Sequence, residues 1–360
     1  GQTGTGCSRG LPTALRRCVA DVCRWWRTVW DCRQEPARPT RKTPRRSIAG
    51  STSQIARTSV SASSGISIIS ATRAKKAGQH YAVIGGGSPI RRFTGQQATA
   101  LQDQLAREGV DAHCVVAMRY WHPFTVEAVA QLQHAGVGQV VLLPLYPQYS
   151  RTTIGSSLNE WRRCWNGTVP VSRVAPFYRH PLYLEAVVDR VNEALAEFLR
   201  PEAVQLVFSA HSVPVSVIEK GDPYEQQIRE TVALVMERGA WANPHRLCYQ
   251  SKVGASRWLQ PSLRATLRTL AAETQRDVCV IPISFVSDHV ETLAEIDHCA
   301  RAEARLLGIE RFAMTQGLND SPKFIRALAE SVVAVIGRPG LEIQDREGEP
   351  AALELSMAAD

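Results

Sequence analysis

The chain of 360 residues carries 42 Lys and Arg against 34 Asp and Glu, a net charge of +8. The excess lies at one end: residues 1–80 hold 15 basic and three acidic side chains (Asp21, Asp31 and Glu35), while the remaining 280 hold 27 and 31. The body of the chain is therefore weakly acidic, which argues against a nucleic-acid-binding domain, and no apolar run approaches the ~20 residues that a membrane-spanning helix needs.

Residues 1–70 are rich in Arg, Ser and Thr and keep no period of 2 or 3.6. They read either as an organelle transit peptide or as a stretch that is not a natural protein segment, such as an out-of-frame or misjudged start, since the first Met is Met118. Cys7, Cys18, Cys23 and Cys32 also fall here. Cys114, Cys164, Cys248, Cys279 and Cys299 are scattered without a CxxC spacing, which disfavours a zinc ribbon or a disulfide framework.

From residue 71 the pattern is regular. Residues 81–84 lead into Gly85-Gly86-Gly87-Ser88-Pro89, a turn whose glycines permit positive φ. Residues 94–107 predict a helix, 113–120 a strand, 123–134 a helix closed by Gly136, and 140–145 a strand. Residues 150–157 are hydroxyl-rich and read as a loop before a helix starting at 158. A short strand at 171–174 and a long amphipathic helix at 182–199 follow. A second series begins with an apolar strand at 204–209 ending in Ala210-His211-Ser212. Helix 224–238, strand 246–250, helix 261–273, strand 278–286, strand 311–314 and helix 322–335 complete it. Alternating strands and helices predict an α/β fold with doubly wound parallel sheet. Residues 338–360 are Gly-, Pro- and Glu-rich and read as a loose tail.

The richest stretch is Ser287-Asp288-His289-Val290-Glu291-Thr292-Leu293-Ala294-Glu295-Ile296-Asp297. It follows a buried-strand pattern, and Ser287 and Asp288 offer N-cap oxygens. Glu291 and Glu295, four apart, share one helix face. A helix start at the carboxyl end of a strand is where open α/β sheets bind ligands. The plain alternative is a solvated acidic face. His211 also closes a strand, where a histidine is commonly structural. If the two strands are neighbours, imidazole and carboxylate face each other and can hold a divalent metal or move protons. The glycines at 85–87 lack the spacing of a phosphate loop, which removes nucleotide binding.

Six motifs in order resemble one family. They are Gly85-Gly86-Gly87-Ser88-Pro89-Ile90, Tyr146-Pro147-Gln148-Tyr149-Ser150, Ser209-Ala210-His211-Ser212-Val213-Pro214, Gly221-Asp222-Pro223-Tyr224, Gln250-Ser251-Lys252-Val253-Gly254 and Ser287-Asp288-His289-Val290-Glu291-Thr292-Leu293. Over residues 73–336 the chain resembles ferrochelatase. The resemblance implies a chelatase-like fold of two similar doubly wound domains, here residues 71–200 and 201–337, with a porphyrin cleft between them. It implies insertion of ferrous iron into protoporphyrin IX to form haem, with His211 and Glu291 as catalytic and metal-contacting groups. His289, Glu295 and Asp297 match a polar path for protons or metal. Tyr146 and Trp258 match rings lining the pocket. Arg119, Ser88, Ser251 and Arg73 match groups near the propionates, where Arg forms charge-assisted hydrogen bonds. The plain alternatives are core packing for the rings and a surface ion pair for Arg119.

Two alternatives stand beside this reading: a related chelatase of the same fold that uses coproporphyrin or another divalent metal, and a porphyrin-binding protein that has lost catalysis. Retention of both His211 and Glu291 favours the enzyme. The resemblance also implies a bacterial cytoplasmic location with peripheral membrane contact, or an organelle if residues 1–70 are a transit peptide. Two departures stand out. Some members bind a [2Fe–2S] cluster through clustered C-terminal cysteines, but no cysteine follows Cys299 and Arg151 occupies a ligand position, so no cluster is expected. The family also opens with a central apolar strand that residues 1–70 do not match. The expectation is a leader packed in neither domain and a first sheet short by a strand, or patched by residues 60–70, whose serines and Gly65 make a poor central strand.

Overall fold

The computed structural model describes residues 17–23, 78, 80–252 and 256–337. Among the described residues, contacts gather 17–23 and 88–337 into one compact unit and place 78 and 80–87 in another. In the second unit, residues 80–82 are helical and close in a turn where Gly85 and Gly86 take φ of +91° and +92°, with the Gly86 N–H donating to the Tyr81 carbonyl at 2.8 Å.

The first unit holds two four-stranded parallel sheets of the same internal order. Sheet one runs β2 (Ala112–Met118), β1 (Arg17–Cys23), β3 (Gln139–Leu143), β4 (Val171–Arg173). Sheet two runs β6 (His245–Gln250), β5 (Gln205–His211), β7 (Asp277–Ile281), β8 (Arg311–Met314). The described α-helices of six or more residues are α1 (Ile90–Arg107), α2 (Thr125–Ala135), α3 (Ser156–Cys164), α4 (Pro181–Leu195), α5 (Tyr224–Gly239), α6 (Leu263–Ala272), α7 (Arg301–Leu306) and α8 (Pro322–Val333). In each sheet the first strand lies inside and the chain winds first to one side and then to the other. The switch point falls beside β1 in sheet one and beside β5 in sheet two.

The front of the chain departs from the expectation read from its sequence. Sheet one is not short by a strand: Arg17–Cys23 pairs in parallel with β2 over seven residues and with β3 over five. Parallel pairing is made by main-chain N–H and C=O groups, which every non-proline residue carries. A segment with an unpromising side-chain pattern can therefore fill a slot whose two flanking strands need partners. The proposed patch at 60–70, Arg73 and the tail at 338–360 lie outside the described residues.

Strand alternation sorts the cores. Leu206, Phe208 and Ala210 of β5 join Cys279 and Ile281 of β7, Val141 and Leu143 of β3, and α1, α4, α5 and α8 in one core shared by both sheets. Val207, Val278 and Val280 point the other way, against α6, Ile296, Ala300 and α7. Val140 and Leu142 likewise face α2 and α3 with Trp161. Period two thus sets His211 on the same face as Val207, the face covered by the segment that carries Glu291.

Two helical segments differ from expectation. Residues 151–155 are not a loop but a π-helical turn leading into α3, with Ser150 Oγ accepting from the Thr152 N–H at 3.2 Å. The helix after β7 is also π-helical over Glu291–Ala300 before α7 continues it. Extended π-helix is uncommon and gathers at functional sites. α1 starts at Ile90, earlier than the pattern predicts, because Pro89 is tolerated at a helix entrance.

Candidate active site

His211 is the last residue of β5, at the switch point of sheet two, and Glu291 opens the π-helical segment beyond β7. His211 Nε2 stands 3.6 Å from Glu291 Oε2, with side chains 1% and 6% exposed. That is longer than a direct hydrogen bond. Two donors each ~2.1 Å from one ion stand about 3.4 Å apart at a tetrahedral angle. The pair therefore has the span of a two-point metal contact or of a short proton relay. Burying an imidazole and a carboxylate together costs the fold desolvation energy, which marks the pair as a candidate functional site.

The backbone of His211 is held from both sides. Its N–H donates to Ser284 Oγ at 2.8 Å, and its carbonyl accepts from the Tyr224 hydroxyl at 2.8 Å. The Phe285 ring meets both imidazoles edge-on, His211 at 6.2 Å and His289 at 4.5 Å between ring centroids. His289 Nδ1 contacts the Ser287 carbonyl at 3.0 Å, and its N–H donates to Thr292 Oγ1 at 3.0 Å.

Asp288 is buried and serves as a clamp, not as a helix cap. Its carboxylate accepts from the Gly317 N–H at 3.1 Å and from Asn319 Nδ2 at 2.9 Å, while its own N–H donates to Asn319 Oδ1 at 3.0 Å. Ser287 is likewise occupied elsewhere: its Oγ accepts from Gln97 Nε2 of α1 at 2.9 Å. These contacts fix the entrance of the π-helical segment to the loop after β8 and to the first half of the chain.

The remaining predicted residues divide. Ser251, at φ +61° just beyond β6, donates to Glu295 Oε2 at 2.5 Å, so it joins Glu295 on the face below Glu291. Asp297 is turned away and pairs with Arg301 at 2.5 Å, off the line of Glu291 and Glu295. Tyr146 is buried in the loop after β3. Trp258 is buried and bridges to Pro214, three residues after His211. Arg119 lies over the Tyr120 ring and 3.6 Å from Glu160, an ion-pair setting. Ser88 lines an open hollow of about 850 Å³ with Arg91, Arg92, Asp103 and Asp320. Among the described residues no three His, Cys, Asp or Glu side chains converge as a metal cage. Sequence reasoning did not single out Ser284, Phe285 or Gln97. The alternation in Pro282-Ile283-Ser284-Phe285 was the available signal for the first two, and nothing local marked Gln97.

The family model for ferrochelatase matches residues 59–335, so the match begins upstream of the motifs. A ferrochelatase of Geobacter sp. (strain M21) is 47% identical over 263 residues, covering 72% of this chain and 82% of its own length. One from Nostoc sp. (strain PCC 7120) is 42% identical over 281 residues, covering 76% of this chain and 72% of its own. Among solved structures, SirB from Bacillus subtilis with Fe3+ aligns at a TM-score of 0.47 and 14% identity, over 66% of this chain and 88% of its own. The family match and the identity over most of both chains are decisive: the chain belongs to the ferrochelatase family.

Proposed function

We propose that this chain inserts ferrous iron into protoporphyrin IX, with His211 and Glu291 as the working pair. The enzyme is a lyase of porphyrin biosynthesis, and a porphyrin and a metal ion are its substrates. Insertion exchanges two pyrrole N–H protons for one divalent cation. The site must therefore accept protons where the metal arrives. His211 takes a pyrrole proton at Nε2, and Glu291 offers the second acceptor and a hard oxygen to the ion; imidazole with carboxylate suits a borderline divalent metal. Glu295, beside Ser251, continues the polar face along which protons leave. The observation that carries this reading is the enclosed 3.6 Å pair at the switch point.

The test is anaerobic incubation with ferrous iron and protoporphyrin. Conversion of the free-base spectrum to that of the metalloporphyrin supports the reading. A spectrum that only shifts, as on binding, refutes it.

The same proposal assigns no iron–sulfur cluster. Cys248 and Cys279 lie on strands of sheet two separated by β5 and are packed in different cores, and burial pushes both thiols up to about 12, unfavourable for thiolate ligation. Stoichiometric iron with acid-labile sulfide in the purified protein would overturn this. Peripheral membrane contact completes the proposal. No described helix is long and apolar enough to cross a membrane, and the exposed Trp121, just before α2, and Val126, in its first turn, offer an apolar contact. Vesicle flotation that is unchanged by Trp121→Ala would count against that surface.

A further inference from the structure

The loop carrying Tyr146 is fastened to α5 at consecutive residues. Gln148 Nε2 donates to Thr231 Oγ1 at 3.1 Å, and the Tyr149 N–H donates to Gln227 Oε1 at 2.7 Å. The buried Asp222, two residues ahead of α5, takes the rest: its Oδ2 accepts from Ser150 Oγ at 3.1 Å and from the Arg151 N–H at 2.7 Å. The other oxygen, Oδ1, accepts from the Tyr224 N–H at 3.1 Å. Tyr224 in turn donates its hydroxyl to the His211 carbonyl at 2.8 Å. One turn thus bonds the loop after β3 on one side and the backbone of His211 on the other.

We propose that Asp222 and Tyr224 form a positioning strut that sets His211 at a fixed spacing from the Tyr146 loop; this rests on the assignment of His211 as the proton acceptor. Neither residue is catalytic, since each acts through the groups it holds. The chemistry explains the acid. Asp222 receives backbone N–H donors on both oxygens, so it needs two acceptors. Asparagine has one, and in either orientation its amide N–H₂ would face a backbone N–H that cannot reverse. Tyr224 needs its hydroxyl and not only its ring. His211 misplaced by a fraction of an ångström loses its line to the reacting nitrogen, and losses of about 10- to 100-fold are the expected scale for such misplacement.

The experiment is a double-mutant cycle on full-length enzyme with Asp222→Asn, Tyr224→Phe and the pair, measuring kcat, porphyrin KM and thermal melting. Tyr224→Phe keeps the ring packed and decides the matter if Asp222→Asn does not fold. The strut predicts kcat lower by about tenfold in each single variant, KM within about twofold, and a double variant little worse than the worse single, because both break one connection. Unchanged kcat in Tyr224→Phe overturns it, as do losses that multiply in the double variant or a loss that appears only as raised KM. A His211→Ala control separates the two ideas. Insertion that dies with His211→Ala but survives both strut variants overturns the strut and leaves the function standing; insertion that survives His211→Ala overturns both.

Discussion

Alanine at Gly317 would carry a Cβ 2.8 Å from the Asp288 nitrogen, 3.0 Å from the Ser287 carbonyl carbon and 3.2 Å from Asn319 Oδ1. Two of these neighbours are backbone, so no flexible side chain can yield. The loop after β8 must instead move off the Ser287–Asp288 peptide by about half an ångström to restore ordinary contact. That movement stretches the 3.1 Å bond from the Gly317 N–H and the 2.9 and 3.0 Å bonds between Asn319 and Asp288. Overpacking of this kind costs about 1–3 kcal/mol. At roughly 2–4 °C per kcal/mol for a domain of this scale, Tm should fall by about 2–12 °C. Asp288 lies three residues before Glu291, so kcat for metal insertion should fall while porphyrin binding persists. Calorimetry and an insertion assay on Gly317→Ala check both. A variant with wild-type Tm and kcat would show that this clamp neither holds the fold nor aims Glu291.

Trp161 is buried between sheet one and its outer helices and stacks on Trp165 at a centroid distance of 5.1 Å; Trp161→Ala should cost about 3–5 kcal/mol in denaturant unfolding, and a loss below 1 kcal/mol would contradict that packing. Burial pushes the Cys248 and Cys279 thiols up to about 12, so iodoacetamide at pH 8 should label the exposed Cys299 well before either, as peptide mass spectrometry would report. Glu160 is held below the ordinary carboxylate range chiefly by its hydrogen bonds to Arg163, with Arg119 adding to the effect. A lowered folded pKa gives stability that is present at neutral pH and lost as pH falls through the folded value. Melting from pH 7 down to pH 3 should therefore show a steeper acid loss in wild type than in Glu160→Gln, and parallel curves would refute the pairing.

Much of this was legible because it is local. The apolar runs at 204–209 and 278–281 announced central strands, and the strand end at His211 announced a ligand position. The helix pattern from Glu291 placed its carboxylate on the covered face with Glu295. What was lost is mostly non-local. Asp288 looks like a helix cap in sequence, but its partners Gly317 and Asn319 come from a loop some thirty residues on, and only the fold brings them together. Asp297 follows Glu295 by two residues, which turns it off the shared face and onto Arg301. The hydroxyl-rich 151–155 segment offered loop composition, yet Ser150 and Asp222 supply the acceptors that let it wind as a helical turn. β1 was illegible because parallel pairing there is carried by main-chain groups, to which side-chain periodicity is blind.

The central claim is that His211, enclosed 3.6 Å from Glu291, accepts a porphyrin proton as the metal enters. The direct measurement is His211→Ala assayed in parallel for porphyrin binding by fluorescence and for ferrous iron insertion by absorbance. The account predicts that porphyrin binding persists while insertion is lost by at least about 100-fold, the lower scale of general-base contributions. Wild-type turnover in that variant would contradict it.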